Sequence, residues 1–99
     1  MDFVQVIDFT TDKYDEIREN AEDFVQTRRS AGGPKPVSML HLQDRDHPNT
    51  YRSIIRFPSY EQAMENSKRE DTTEVAAQIA YLADDVSFRN FDVVYQIKP

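Results

Sequence analysis

Apolar residues open the chain at close spacing: Phe3, Val4, Val6, Ile7 and Phe9, all β-branched or aromatic. Such a run predicts a strand from Phe3 to Phe9, closing at the Thr10-Thr11-Asp12 cluster. The period then changes. Tyr14, Ile17, Ala21, Phe24 and Val25 recur every three or four residues, with Asp15, Glu16, Glu19, Glu22 and Asp23 on the other side. That is an amphipathic helix, with Thr10 or Thr11 as its expected cap. Gly32-Gly33-Pro34 ends it, through a left-handed glycine cap and the missing donor of proline. Val37 to Leu42 and Tyr51 to Phe57 read as a hairpin around the polar turn Asp44 to Asn49. Ser59 and Gln62 stand at capping-box spacing and open a second helix. Asp71 and Glu74 repeat that spacing and open a third helical piece, striped by Val75, Ile79, Leu82 and Val86. Asn66 to Asp71 is the break between the two, and Phe88 to Ile97 is the expected last strand.

The order is β-α-β-β-α-β with its second helix in two pieces. The right-handed crossover rule turns this into an α+β, ferredoxin-like fold: a four-stranded antiparallel sheet with helices on one face. At 99 residues the chain has room for one domain, spanning 1–99.

Helices on one face leave the other face of the sheet bare, and here that face does not read polar. Strand alternation sets Phe3, Ile7 and Phe9 against Val4 and Val6, and Val37 and Met39 against Leu40 and Leu42. It likewise sets Ile55 and Phe57 against Ile54, and Phe91, Val93, Tyr95 and Ile97 against Val94. At ~1.5–3 kcal/mol per buried side chain, the second set (Val4, Val6, Leu40, Leu42, Ile54 and Val94) carries roughly 9–18 kcal/mol of burial. An apolar face of that size marks an interaction surface, and a two-fold partner of the same chain is the commonest way to cover one. A homodimer through the sheet face is therefore expected.

Composition narrows the chemistry. A net charge of -6 with scattered basic residues argues against nucleic acid. The densest basic pair, Arg28-Arg29, sits where a helix end favours cations anyway. Cysteine is absent, which excludes disulfides and thiolate zinc sites. The N-terminal stretch lacks a basic leader, and no apolar run approaches the roughly 20 residues that span a bilayer. The expectation is a soluble, cytoplasmic protein with no membrane partner. No P-loop, Rossmann glycine pattern or nucleophile elbow is present, so no cofactor is expected.

Five residues stand out as candidates. His41, between Leu40 and Leu42, is either a general base at a pocket wall or a hydrogen-bonded histidine on a half-covered strand. Tyr51 and Tyr81 offer apolar bulk with one polar tip for a substrate oxygen, while Tyr95 reads as core. Arg52, alternating with Arg56, either clamps a carboxylate or pairs with Asp8 or Asp92. Asn90, ahead of the last strand, is either a substrate hydrogen-bonding amide or a turn asparagine. His47 lies in a polar turn without a second histidine at ligand spacing, so no metal site is expected.

Tyr51-Arg52-Ser53-Ile54-Ile55-Arg56-Phe57-Pro58-Ser59-Tyr60-Glu61-Gln62-Ala63-Met64-Glu65-Asn66-Ser67 resembles the third strand and second helix of the dimeric α+β barrel proteins. Leu82 to Val93 resembles their final helix-to-strand passage. The resemblance implies sheet-to-sheet dimers with a pocket between sheet and helices in each subunit. Its members include antibiotic-biosynthesis monooxygenases, haem-degrading enzymes and chlorite dismutase-like proteins, and fold alone does not choose among them. One implied function is a cofactor-independent monooxygenase acting on a small aromatic molecule. The alternative is a non-catalytic dimer that binds a small hydrophobic or aromatic ligand, or none. Haem degradation is the third, and the absence of tryptophan counts against it because the resemblance implies a Trp that distorts the haem.

Overall fold

The computed structural model describes residues 1–99. The elements are β1 (Phe3–Thr10), α1 (Tyr14–Ala31), β2 (Ser38–Gln43), β3 (Thr50–Phe57), α2 (Tyr60–Ser67), α3 (Glu70–Leu82) and β4 (Asp84–Asp92). Every strand pair is antiparallel and the sheet order is β2-β3-β1-β4, which is the ferredoxin-like arrangement expected. No helix is long and apolar enough to cross a membrane.

Cross-strand register sorts the side chains into rows. His41, Ser53, Ile7 and Phe88 form one row across the whole sheet, and Met39, Ile55, Gln5 and Asn90 form the next. Both rows share the face that carries the buried Phe3, Phe9 and Phe57 and the helices. On the opposite face the rows read Leu40, Ile54, Val6, Arg89 and Leu42, Arg52, Asp8, Ser87. Leu40 is 53% exposed there, and Leu42 and Phe91 are also open.

The last strand differs from the expected Phe88–Ile97. It starts earlier because α3 stops at Leu82, whose carbonyl accepts a 2.7 Å bond from the Thr11 hydroxyl. Val86 therefore belongs to β4 and not to the helical stripe. The strand also ends earlier, because β4 pairs only with β1. Phe3, the first residue of β1, opposes Asp92, and one further backbone bond runs from the Val93 N–H to the Asp2 carbonyl. Val94, Tyr95 and Ile97 consequently lie outside the sheet, and Val94 is 83% exposed. Val94 is not on the bare face as expected; Phe91, opposite Val4, takes that place.

The helix starts also differ. Thr11 does not cap α1 itself: Lys13 occupies the cap position, and the Thr11 hydroxyl accepts the Lys13 N–H at 2.9 Å. Ser59 caps α2 as expected, accepting from the Gln62 N–H. Asp71 lies inside α3, with Arg69 at the cap position, because its carboxylate is engaged by arginines.

After α1, Gly32 and Gly33 take φ of 82° and 108°. A Cβ on Gly33 would sit 3.3 Å from Arg28 Cδ, which is buried and fixed, and nearer still to the movable end of Arg69. Strain at such a φ costs about 1–3 kcal/mol. Gly33→Ala is expected to lower the melting temperature by roughly 4–24 °C, at 4–8 °C per kcal/mol for a domain of this size. A circular-dichroism melt checks it, and an unchanged midpoint would show that the turn relaxes freely.

Candidate functional site

A cavity of about 100 Å³ lies between the helices and the sheet. Ile7, Phe9, Ile17, Phe24, Ile55 and Ile79 are among its apolar walls. Period-two alternation on the strands and the three- and four-residue spacing on α1 and α3 both aim these residues inward. Its polar lining includes His41, Ser53 and Asn66.

His41 stands on β2, an edge strand, beside Ser53 in the register. Its Nδ1 is 2.7 Å from the Tyr14 hydroxyl, and the two rings meet edge to face. Tyr14 stacks on Tyr51 at 4.4 Å between centroids, and Tyr51 stacks on Phe9 at 5.7 Å. Burial pushes the His41 pKa down, so the imidazole is neutral near pH 7. Burial pushes the Tyr14 pKa up, so the phenol keeps its proton. A neutral pair held this way has two arrangements. Either the Tyr14 O–H donates to Nδ1 and Nε2 carries the imidazole proton, or Nδ1–H donates to the phenol oxygen and Nε2 is free to accept. A wide groove of about 620 Å³ between α1 and β2 shares Ala21, Met39 and His41 with the cavity. His41 thus lines both the groove and the cavity, at the mouth between them.

Asn66 and Ser53 lie deeper, 8% and 5% exposed. The Asn66 Oδ1 accepts from Arg28 Nη1 at 2.8 Å and from the Thr72 hydroxyl at 3.2 Å. Arg28, only 2% exposed, also donates to the Pro34 carbonyl, the Thr72 hydroxyl and both Asp71 oxygens. Phe24 covers its guanidinium at 4.7 Å. Burial would raise the Asp71 pKa, but hydrogen bonds and charge from Arg69 and Arg28 hold it below the usual carboxylate value. Arg28 is therefore a buried hub tying α1 to α2 and α3, not the solvated helix-end cation that its position suggests.

The five sequence candidates separate. His41 reaches the cavity. Tyr51 stands one step back, stacked on Tyr14, with its hydroxyl receiving from Gln43. Arg52 faces the opposite side of the sheet and pairs with Asp8 at 2.6 Å, so it cannot clamp a ligand beside His41. Arg89 holds the same carboxylate, and the hydrogen bond from Arg52 leads in pulling the Asp8 pKa down. Arg56 pairs with Asp2 at 2.6 Å on that face. Tyr81 is 85% exposed on the outer side of α3, away from the cavity. Asn90 is in β4, not in a turn, and its amide oxygen meets Gln5 at 3.4 Å outside the cavity lining. His47 is exposed in its turn, 3.4 Å from Asp44. Sequence reading missed Tyr14, Arg28, Ser53 and Asn66. Tyr14 read as one more residue of an apolar stripe, and Asn66 as a helix break.

No protein-family profile matches the chain, and no curated protein sequence does. Solved structures do match its fold. The cofactor-independent oxygenase SnoaB from Streptomyces nogalater superposes, in a mutant form, with a TM-score of 0.82 at 16% identity, over 99% of this chain and 98% of that one. A proposed antibiotic biosynthesis monooxygenase from Deinococcus radiodurans gives 0.77 at 10% identity, over 98% and 97%. Rv0793 from Mycobacterium tuberculosis gives 0.75 at 14% identity, over 99% and 100%. The chain thus has the fold of antibiotic biosynthesis monooxygenase-like structures, over nearly its full length.

Proposed function

We propose that the chain is a cofactor-independent monooxygenase of a small, readily ionised aromatic molecule, working as a homodimer. The observation that carries the reading is His41: a neutral imidazole at the mouth of an apolar cavity, with its Nδ1 tied to Tyr14. With Nδ1–H donated to the Tyr14 oxygen, Nε2 accepts a proton from the substrate. The substrate anion then reduces dioxygen and forms a C–O bond. For an activated CH2 flanked by aromatic rings, one O2 yields the ketone and one water, so the atoms balance without another reductant. The protein contributes the base, the ring-shaped apolar seat and exclusion of water. Fold likeness to an oxygenase and to a proposed monooxygenase supports the same reading.

Oxygen uptake with anthrone-type and polyphenolic substrates tests it. Saturable uptake above the blank is expected. Saturable binding with no uptake across the panel would instead favour the non-catalytic ligand-binding reading. One observation favours that second reading: the cavity, at about 100 Å³, is below the ~300–1,000 Å³ usual for ligand sites.

The homodimer reading rests on the bare sheet face, where Val4, Val6, Leu40, Leu42, Ile54 and Phe91 lie together by register. Native mass spectrometry is expected to give a dimer, and Leu40→Glu to shift it to monomer by setting a carboxylate within an apolar interface. A wild-type monomer at micromolar concentration would overturn the sheet-face dimer.

A further inference from the structure

Asn66 is held in one orientation by a residue that can only donate. A guanidinium has no acceptor, so the amide group turned toward Arg28 Nη1 is the carboxamide oxygen. The Thr72 hydroxyl donates to the same oxygen. The Asn66 NH2 is left with no acceptor in the protein, although the residue is more than nine-tenths buried and lines the cavity. The Ser53 hydroxyl belongs to a residue 5% exposed that also lines the cavity. A donor that lines a cavity without a protein acceptor is free to bond an oxygen supplied by a ligand or water, whereas the fully enclosed side-chain atom left unpartnered is Arg28 Nε. The Asn66 donor is also polarised, because the oxygen behind it receives from a buried cation.

We infer that Arg28 is a positioning residue: through the Asn66 oxygen it turns the Asn66 NH2 into the cavity, where that NH2 and the Ser53 hydroxyl receive an anionic aromatic oxygen. This deepens the proposed reading by naming where the negative charge rests once His41 has taken the substrate's proton. A neutral phenol also fills the apolar walls, but only the phenolate places full negative charge against donors backed by Arg28. The expected preference for phenolate over phenol is about tenfold, equivalent to a one-unit fall in the bound ligand's pKa.

4-Nitrophenol is a suitable probe, since it is a single ring, ionises near neutral pH and reports its ionisation by its yellow band. Titration in the absence of oxygen is expected to show wild-type protein lowering the bound probe's pKa by about one unit. Asn66→Asp is the decisive variant. It keeps the shape and gives Arg28 an even better partner, so the melting temperature holds, but it replaces the cavity-facing donor with an acceptor. The phenolate preference is expected to vanish or reverse. Arg28→Lys has a single ammonium that cannot serve Asn66 and Asp71 together, and its preference is expected to fall between the two. Wild-type preference surviving in N66D, a wild-type protein that favours neutral phenol, or no binding at all would each overturn the inference. The two readings fail separately. Anthrone oxidation absent with phenolate preference intact would remove the oxygenase; oxidation present with an unaffected N66D preference would remove only this assignment.

Discussion

Arg28→Ala is expected to cost about 3–5 kcal/mol, because a guanidinium only 2% exposed gives up bonds to four groups at once, and hydrogen bonds to charged groups are worth about 1.5–3 kcal/mol each. That is a large part of the ~5–15 kcal/mol that holds a domain together. At 4–8 °C per kcal/mol for this size, the melting temperature should fall by roughly 12–40 °C. The size of the effect follows from what is left behind. Asn66 Oδ1, the Thr72 hydroxyl, the Pro34 carbonyl and the Asp71 carboxylate all lose a donor at once. Three elements lose their common tie, and α3 has no fully buried side chain of its own to replace it. The apolar core under the helices cannot compensate, since its buried members are only Phe3, Ile7, Phe9, Ile17, Phe57 and Ala63.

Acid reports on the same hub. Asp71 has a folded pKa below its ordinary 3.8, so the stability it contributes is present above pH 3.8 and is lost as pH falls through the lowered value. Urea titrations of wild type should show that loss, and Asp71→Asn should show less of it. An Arg28→Ala protein that melts within a few degrees of wild type would mean that water replaces the guanidinium at little cost.

The order of elements and the phase of three strands were legible because both rest on local periodicity. Val4, Val6, Leu40, Leu42 and Ile54 share a face as alternation requires. The fourth strand was not legible. Its limits depend on where β1 begins and on the Thr11 bond to Leu82, and neither is a property of residues 88–97. Likewise, period shows that Tyr14 lies on the inward side of α1, but not that β2 brings His41 to its hydroxyl. Arg28 carries the ordinary signature of a helix-end cation. Only the packing of α2 and α3 against α1 shows that it is enclosed. Asn66 breaks a helix as asparagine often does, and the same position puts its amide between Arg28 and the cavity. Local pattern places residues on faces, and long-range pairing decides which of them meet.

His41→Ala is expected to lower kcat by roughly 10²–10⁴-fold, the range for loss of a general base. The acid limb of the pH profile identifies the group. Burial holds the His41 pKa below 6.5, so wild-type turnover should persist below that pH and fail only as the lowered value is crossed. Stability should follow the opposite member of the same linkage. The unfolded chain takes up the proton first, so stability declines from about pH 6.5 down to the lowered folded value. His41→Gln removes both dependences while keeping a polar side chain of similar reach. Tyr14→Phe separates burial from orientation. Phenylalanine preserves the desolvation, so the acid limb should stay in place, while the imidazole loses the partner that fixes its tautomer and kcat drops by a smaller factor. A purely structural role for His41 predicts a different pattern, with lower stability in both variants and no change in the pH limb of the activity that remains. Full turnover with an unchanged limb in His41→Gln would assign the base to another group and leave His41 as a wall of the mouth.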